Sequence, residues 1–286
     1  MTDRWVALLG VKGGPAIRPG SHMPTCTLLR IGDRTILVDA GLGAARAVCD
    51  QGVALRDIDL IVVTHLHSDH YLELGPLLHT AWTAGLTNPI PVIGPAGLSA
   101  YWGHFQRAMA FDIDLRIADE GRVPFSSLAA LQVIAPGVIY RDGDLVIEAI
   151  RNHHPPITDS FALRLSDGDR TVVLSGDTAP FDGWDAFVTG ADLLVHEAML
   201  VAGVDAVIAG LSHSDPRLKD HILRSHTAAE EVGALAARTG VGTLALTHFV
   251  PDGLPGFGEA EWNKAVRNAW SGPLHIGRDG MRIDLS

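Results

Sequence analysis

The stretch Thr64-His65-Leu66-His67-Ser68-Asp69-His70 constrains this chain more than any other. It follows the apolar run Asp59-Leu60-Ile61-Val62-Val63, whose β-branched residues and length predict a strand buried on both faces, so the histidines begin at a strand edge. Side chains alternate in an extended segment, which points His65 and His67 the same way. A turn after them can swing Asp69 and His70 to the other side of one cavity. Three imidazoles and a carboxylate are borderline ligands suited to zinc or another first-row divalent ion. They are too many for one site that must keep a position open to water, so two adjacent ions fit them better.

The same placement recurs down the chain. Residues 25–31 and 35–38 flank the hairpin signal Gly32-Asp33-Arg34 and deliver Asp39 to an edge. Four later apolar runs end at Asn152-His153-His154-Pro155-Pro156, Ser175-Gly176-Asp177-Thr178, His196-Glu197 and His248, so strand after strand deposits a ligand or an acid/base group at its end. Helices are expected over 41–51, burying Leu42, Ala45, Val48 and Cys49, and over 71–84. Residues 98–126 concentrate Tyr101, Trp102, His104, Phe105, Met109 and Phe111, either as core packing or as an apolar wall of a substrate pocket. Trp262 and Trp270, at helical intervals in 257–270, read as a helix closing the core or as a dimer surface. No composition break marks a linker, and residues 1–286 are expected to form a single domain.

Composition narrows the function classes. The formal charge of -11 disfavours nonspecific attraction to nucleic acid or anionic membrane. Cys26 and Cys49 are the only cysteines and lack metal spacing, which fits a reducing compartment, with the cytoplasm as the expectation. No run reaches membrane-spanning length, and residues 1–10 do not read as a signal peptide.

With these motifs in hand the chain resembles the metallo-β-lactamase superfamily, and within it the ribonuclease Z and arylsulfatase branch. The likeness rests on Leu9-Gly10 with its Gly-rich loop, Val38-Asp39-Ala40-Gly41, THLHSDH at 64–70 and the His-x-Pro after a strand. It continues through Ser175-Gly176-Asp177-Thr178, His196-Glu197-Ala198, Ser225-His226-Thr227 and Leu246-Thr247-His248-Phe249, in that order. The resemblance implies an α/β fold, a four-layer αββα sandwich. It further implies two divalent ions, Zn2+ first with Mn2+ or Fe2+ as options: one held by His65, His67 and His154, the other by Asp69, His70 and His248, with Asp177 bridging both. His153 is the rival to His154, and strand alternation turns it away. The implied chemistry is a hydroxide generated between two dications, with His226 as general acid, Glu197 positioning it, and Asp69 counted with them as catalytic. Asp39 is expected to orient a group outside the metal's own ligands rather than bind metal.

Departures limit the carry-over. Ribonuclease Z enzymes that process tRNA precursors carry a basic, Gly-rich arm between the third-motif His and the bridging Asp; here residues 155–176 hold a plain hairpin pattern, which with the acidic balance argues against tRNA maturation. Residues 201–225 read as a long loop able to cover the site, with His213 and His221 as solvated side chains. The expected function is hydrolysis of a small anionic ester, a phosphodiester or aryl sulfate, with a small-molecule partner and room for a homodimer. The alternatives are hydrolysis of a carbon ester, lactone or amide, and metal binding without catalysis. Cations folding over the metals, such as Arg107 or Arg217, would favour phosphate or sulfate, and an apolar cleft would favour carbon esters.

Overall fold

The computed structural model of the protein describes residues 4–211 and 215–285. His213, expected as a solvated side chain, lies outside the described residues. The first half of the chain supplies strands β1 (Trp5–Gly10), β2 (Cys26–Ile31), β3 (Arg34–Val38), β4 (Leu60–Val62), β5 (Ile90–Gly94) and β6 (Ala129–Val133). The second supplies β7 (Gly137–Asp142), β8 (Leu145–Arg151), β9 (Phe161–Ser166), β10 (Thr171–Leu174), β11 (Leu193–Met199), β12 (Thr243–Val250), β13 (Leu274–Ile276) and β14 (Met281–Asp284). Between them run α1 (Ala44–Asp50), α2 (Ser68–Tyr71), α3 (Leu74–Thr83), α4 (Leu98–Ala108) and α5 (Ala110–Glu120). The later helices are α6 (Trp184–Val188), α7 (Val201–Ala209), α8 (Pro216–Ser225), α9 (Ala229–Thr239) and α10 (Glu259–Arg267).

Two seven-stranded mixed sheets result, in the orders β14-β1-β2-β3-β4-β5-β6 and β13-β12-β11-β10-β9-β8-β7. Period-two alternation divides the first sheet's side chains between two cores. Val6, Leu8, Leu29, Ile36 and Leu60 pack with Leu163, Leu165 and Val172 of the other sheet. Their neighbours Ala7, Leu9, Leu28, Leu37 and Ile61 face Val48, Leu74, Leu77 and Leu78 of α1 and α3. On the far side, Trp184 of α6, Leu235 of α9 and Trp262 and Val266 of α10 cover the second sheet. These are the four αββα layers the sequence resemblance implies, and each fully buried Leu, Ile or Val in them is worth about 1.5–3 kcal/mol.

Strands β3 to β6 run parallel, as do β10 to β13, so their carboxyl ends gather at one edge of the sandwich. Several local expectations shift. Helix α1 starts three residues late, leaving Leu42 and Cys49 exposed, because so short a helix buries only the i, i+4 pair Ala44 and Val48. The helix expected over 71–84 is α3, and a separate four-residue turn of helix, α2, precedes it, starting within the 64–70 motif. The aromatic segment divides: Trp102 packs inward, 4.9 Å from Phe125, which lies 5.3 Å from Trp82, with Tyr101, Phe105 and Met109 partly buried beside it, while His104 and Phe111 are exposed, and none of these side chains lines the site's cavity. Trp262 and Trp270 do sit in the core. Where a loop is expected over 201–225, Val201–Ala209 and Pro216–Ser225 form α7 and α8.

Where β10 ends, Gly176 takes a φ of +56°, and a Cβ there would lie 2.6 Å from the Phe161 carbonyl oxygen. Both the left-handed backbone and the close approach demand glycine, and the next residue is Asp177. Gly176→Ala is expected to cost about 1–3 kcal/mol in thermal or chemical unfolding and to weaken divalent-ion binding by calorimetry.

Candidate metal centre

Each strand edge contributes one part. His65 lies beyond β4, Asp177 beyond β10 and His154 beyond β8, and His248 stands within β12 as the odd residue of a bulge. Glu197 pairs with Thr247 but Ala198 pairs with Phe249, so His248 is skipped, with a φ of +47°. The bulge re-aims its side chain out of the ladder.

Two overlapping groups of donors assemble. Nitrogen and oxygen atoms of His65, His67, His154 and Asp177 lie within 4.8 Å of one another, as do those of Asp69, His70, Asp177 and His248; either group could hold a metal ion. Asp177 Oδ2 stands 3.7 Å from His65 Nε2 and 3.9 Å from His154 Nε2, and on the other side 3.3 Å from His70 Nε2 and 3.0 Å from His248 Nε2. His154, for which His153 was the rival, is buried, while His153 is exposed. A third overlapping group, Glu197, His226 and His248, meets the same distance test.

The surroundings fix the tautomers. His154 donates Nδ1–H to the Ser225 carbonyl at 2.9 Å, and His70 donates Nδ1–H to Asp39 Oδ2 at 2.7 Å, so both Nε2 atoms turn inward. Asp39, itself at a φ of +62°, also accepts from the Thr64 N–H at 2.8 Å and the Thr64 hydroxyl. It orients His70, itself one of the candidate donors, rather than a group outside them. Asp69 accepts from the Gly14 N–H at 2.9 Å.

These donors fit a divalent ion on two grounds. His67 Nδ1 is only 3.1 Å from His65 Nε2 and 2.9 Å from His154 Nε2, three ring nitrogens pointed at one spot as a cation would require. Further, His70 Nε2 and Asp177 Oδ1 are buried with no hydrogen-bond partner in the protein. Electrostatics divide the two groups. Burial holds His65, His67 and His154 below the ordinary imidazole range, His154 down to about 4. For His248, burial works against the proton, but Asp177 and Asp69 outweigh it and hold the ring up to about 10; His70, among Asp177, Asp39 and Asp69, shifts upward too.

Beside this centre, His226 is buried with its ring 5.4 Å from His248 and 5.3 Å from His154. Its Nδ1 lies 3.2 Å from Glu197 Oε1, which also accepts the N–H groups of Thr178 at 3.0 Å and Thr227 at 3.1 Å. Alternation along β11 turns His196 the other way, where it accepts from Trp184 Nε1 at 3.2 Å. His67, Asp69, Asp177, His226 and His248 border a cavity of about 380 Å³.

Other walls of that cavity escape a reading of motifs. Lys12 and Arg18, from the Gly-rich loop after β1, line it, whereas Arg107 and Arg217 do not; the Arg217 guanidinium is bonded to Asp215 at 2.9 Å. Val207, Leu211, Leu218 and Ile222 of the 201–225 segment line it too. His221 is half-buried there, 5.8 Å from the His67 ring, rather than solvated. The only available signal was the helical spacing of Leu218 and Ile222. Among the described residues no helix is long and apolar enough to cross a membrane.

Residues 6–246 match a family model described as Anti-Pycsar protein Apyc1. A protein of Mycobacterium bovis (strain BCG / Pasteur 1173P2) named Ribonuclease Z is 32% identical over 283 residues, covering 98% of both chains. Among solved structures, the metallo-beta-lactamase fold protein YhfI from Bacillus subtilis superposes with a TM-score of 0.70 at 23% identity over 99% of each chain. The short form of human tRNase Z does so at 0.69 and 20% identity, again over 99% of each.

Two outcomes follow from the charges. A metal ion requires neutral imidazole, while the metal-free His248, held up to about 10, keeps its proton at pH 7 and His70 shifts in the same direction; loading with Zn2+ is expected to release protons, read by calorimetry in buffers of different ionisation enthalpy. His154 is neutral in the fold below the 6.5 at which an ordinary imidazole titrates. Its contribution to metal-free stability is present above that value and is lost as pH falls through about 4, so unfolding followed by circular dichroism should show weakening over that window, and less of it in His154→Ala.

Proposed function

The chain belongs to the metallo-β-lactamase superfamily, in the branch that includes ribonuclease Z and Apyc1, and is a metal-dependent hydrolase; from that premise we propose that it cleaves a phosphodiester of a small molecule, using two divalent ions, Zn2+ first. His65, His67 and His154 would hold one ion, Asp69, His70 and His248 the other, with Asp177 shared. Such ions, when bound, supply a nucleophile from water at neutral pH and draw electron density from the scissile group. The remaining work falls to the protein. Asp39 and the Ser225 carbonyl keep His70 and His154 in the tautomers that present Nε2 inward.

The observation that carries the reading is the His226 and Glu197 pair. Glu197 Oε1 is held by two backbone N–H groups, and its contact with His226 Nδ1 leaves Nε2 as the nitrogen able to give a proton to a departing oxygen. That service matters most when the leaving group is a poor one, an alkoxide from a phosphodiester. The apolar side of the cavity favours a second reading, a carbon ester or lactone, for which leaving-group protonation is less demanding. The name of the mycobacterial relatives raises RNA as the diester. Against it stand the chain's -11 charge and the bare β9–β10 hairpin between His154 and Asp177.

Zinc-loaded protein is expected to turn over bis-p-nitrophenyl phosphate and an alkyl diester, and p-nitrophenyl acetate only weakly. His226→Ala should lower kcat by about 10²–10⁴ on the diester that leaves as an alkoxide, and much less on the one that leaves as p-nitrophenolate. An alkyl diesterase indifferent to that substitution, or turnover confined to acetate and lactones, would move the function to carbon esters. Cleavage of a precursor tRNA at rates above the small diester would make RNA the substrate.

A further inference from the structure

The walls of the cavity differ in chemistry, and one of them is built by a separate part of the chain. Val204, Ile222 and Val250, with Val207 and Leu218 against them, form a small apolar cluster distinct from both main cores. Helix α7 is seated tightly, since a Cβ on Gly203 would lie 2.4 Å from the Pro251 ring. On α8, Leu218 and Ile222 are one turn apart and face the cavity, while His221 and Ser225 stand toward the metal donors.

Resting on the phosphodiester reading, we infer that the α7–α8 wall is the seat of an aromatic substituent of the substrate, which makes Val207, Leu218 and Ile222 specificity-determining residues. Apart from His221 on its metal-facing side, the wall offers aliphatic carbon from Val207, Leu211, Leu218 and Ile222, so it selects a flat apolar face by contact area. Charge fits the remainder of such a substrate. Lys12 and Arg18 are the cationic side chains that border the cavity, on a chain whose formal charge is -11. Lys12 Nζ donates to the carbonyls of Gly13 at 2.7 Å and Gly14 at 2.8 Å, and Arg18 donates to the Asp252 carbonyl at 3.1 Å, so backbone acceptors hold both cations. A diester with one negative charge and one aromatic group matches the two sides, and about 380 Å³ accommodates a molecule of that size.

The test uses two phosphodiesters with the same p-nitrophenyl leaving group and either phenyl or methyl as the second substituent, each with the zinc-loaded protein. A kcat/KM favouring phenyl by about ten- to hundredfold is expected, the value of burying one ring. In Leu218→Ser and Ile222→Ser that preference should fall at least about fivefold, through KM. Leu223→Ser, on the same helix but at an exposed position away from the cavity, should retain it. A phenyl-to-methyl ratio near one, or a ratio unchanged in both wall variants, would overturn the inference. Calorimetric binding of diphenyl phosphate against dimethyl phosphate is measured on the same proteins. Should neither diester be cleaved, the diester chemistry fails, while tighter diphenyl phosphate binding that is lost in the wall variants still supports the wall; equal binding of the two would remove it.

Discussion

Three carboxylates buried among imidazoles set the terms for the rest of the molecule. Asp39, Asp69 and Asp177 are each at most 4% exposed, and Asp177 lies between four histidines. Burying so many anions is costly unless they are paired, hydrogen-bonded or bound to metal. Backbone and side-chain donors from Gly14 and Thr64 answer part of the demand. The raised protonation of His70 and His248 answers another part, by lending the site positive charge that a divalent ion would replace.

Placing those groups together is the business of the strand ends. Because β3–β6 and β10–β13 are parallel within their sheets, residues that follow β3, β4 and β10 reach one edge from both halves of the sandwich. The backbone departs from ordinary geometry where aim matters: Asp39 and His248 have positive φ without being glycine, and Gly176 precedes Asp177. Such conformations cost about 1–3 kcal/mol each and persist only where the surrounding structure holds them. Here the two sheets and their helical layers do so.

The metal donors and the cavity's apolar wall come from different sources. Strand edges build the donor cluster, whereas α7 and α8 add a wall that makes its own small hydrophobic cluster. His226 joins the two, since it follows α8 directly and rests on Glu197 within β11. The Ser225 carbonyl at the end of α8 also holds His154, so the wall helix and the donor cluster are tied at that one end.

The candidate site was legible in the sequence because its chemistry is local. A buried β-branched run followed within a few residues by His, Asp or Glu marks a strand end with a charge to satisfy, and the order of those ends carried the family resemblance and the layered fold with it. Less legible were the elements whose partners are remote. Strands β13 and β14 have only 3 and 4 residues and exist through pairing with β12 and β1, and α1 buries less than its pattern promised because its neighbours cover only two positions. The bulge at His248 and the inward tautomers of His70 and His154 likewise depend on residues far away in the chain. So does the pocket: Lys12 and Arg18 share a cavity with Leu218 and Ile222 although no spacing links the two pairs. Sequence by itself determined which groups arrive at strand edges, since alternation and burial act over a few residues. Only tertiary structure decided which of them meet, how they are aimed and what wall they face, because those follow from the packing of two sheets and two helices that no local pattern records.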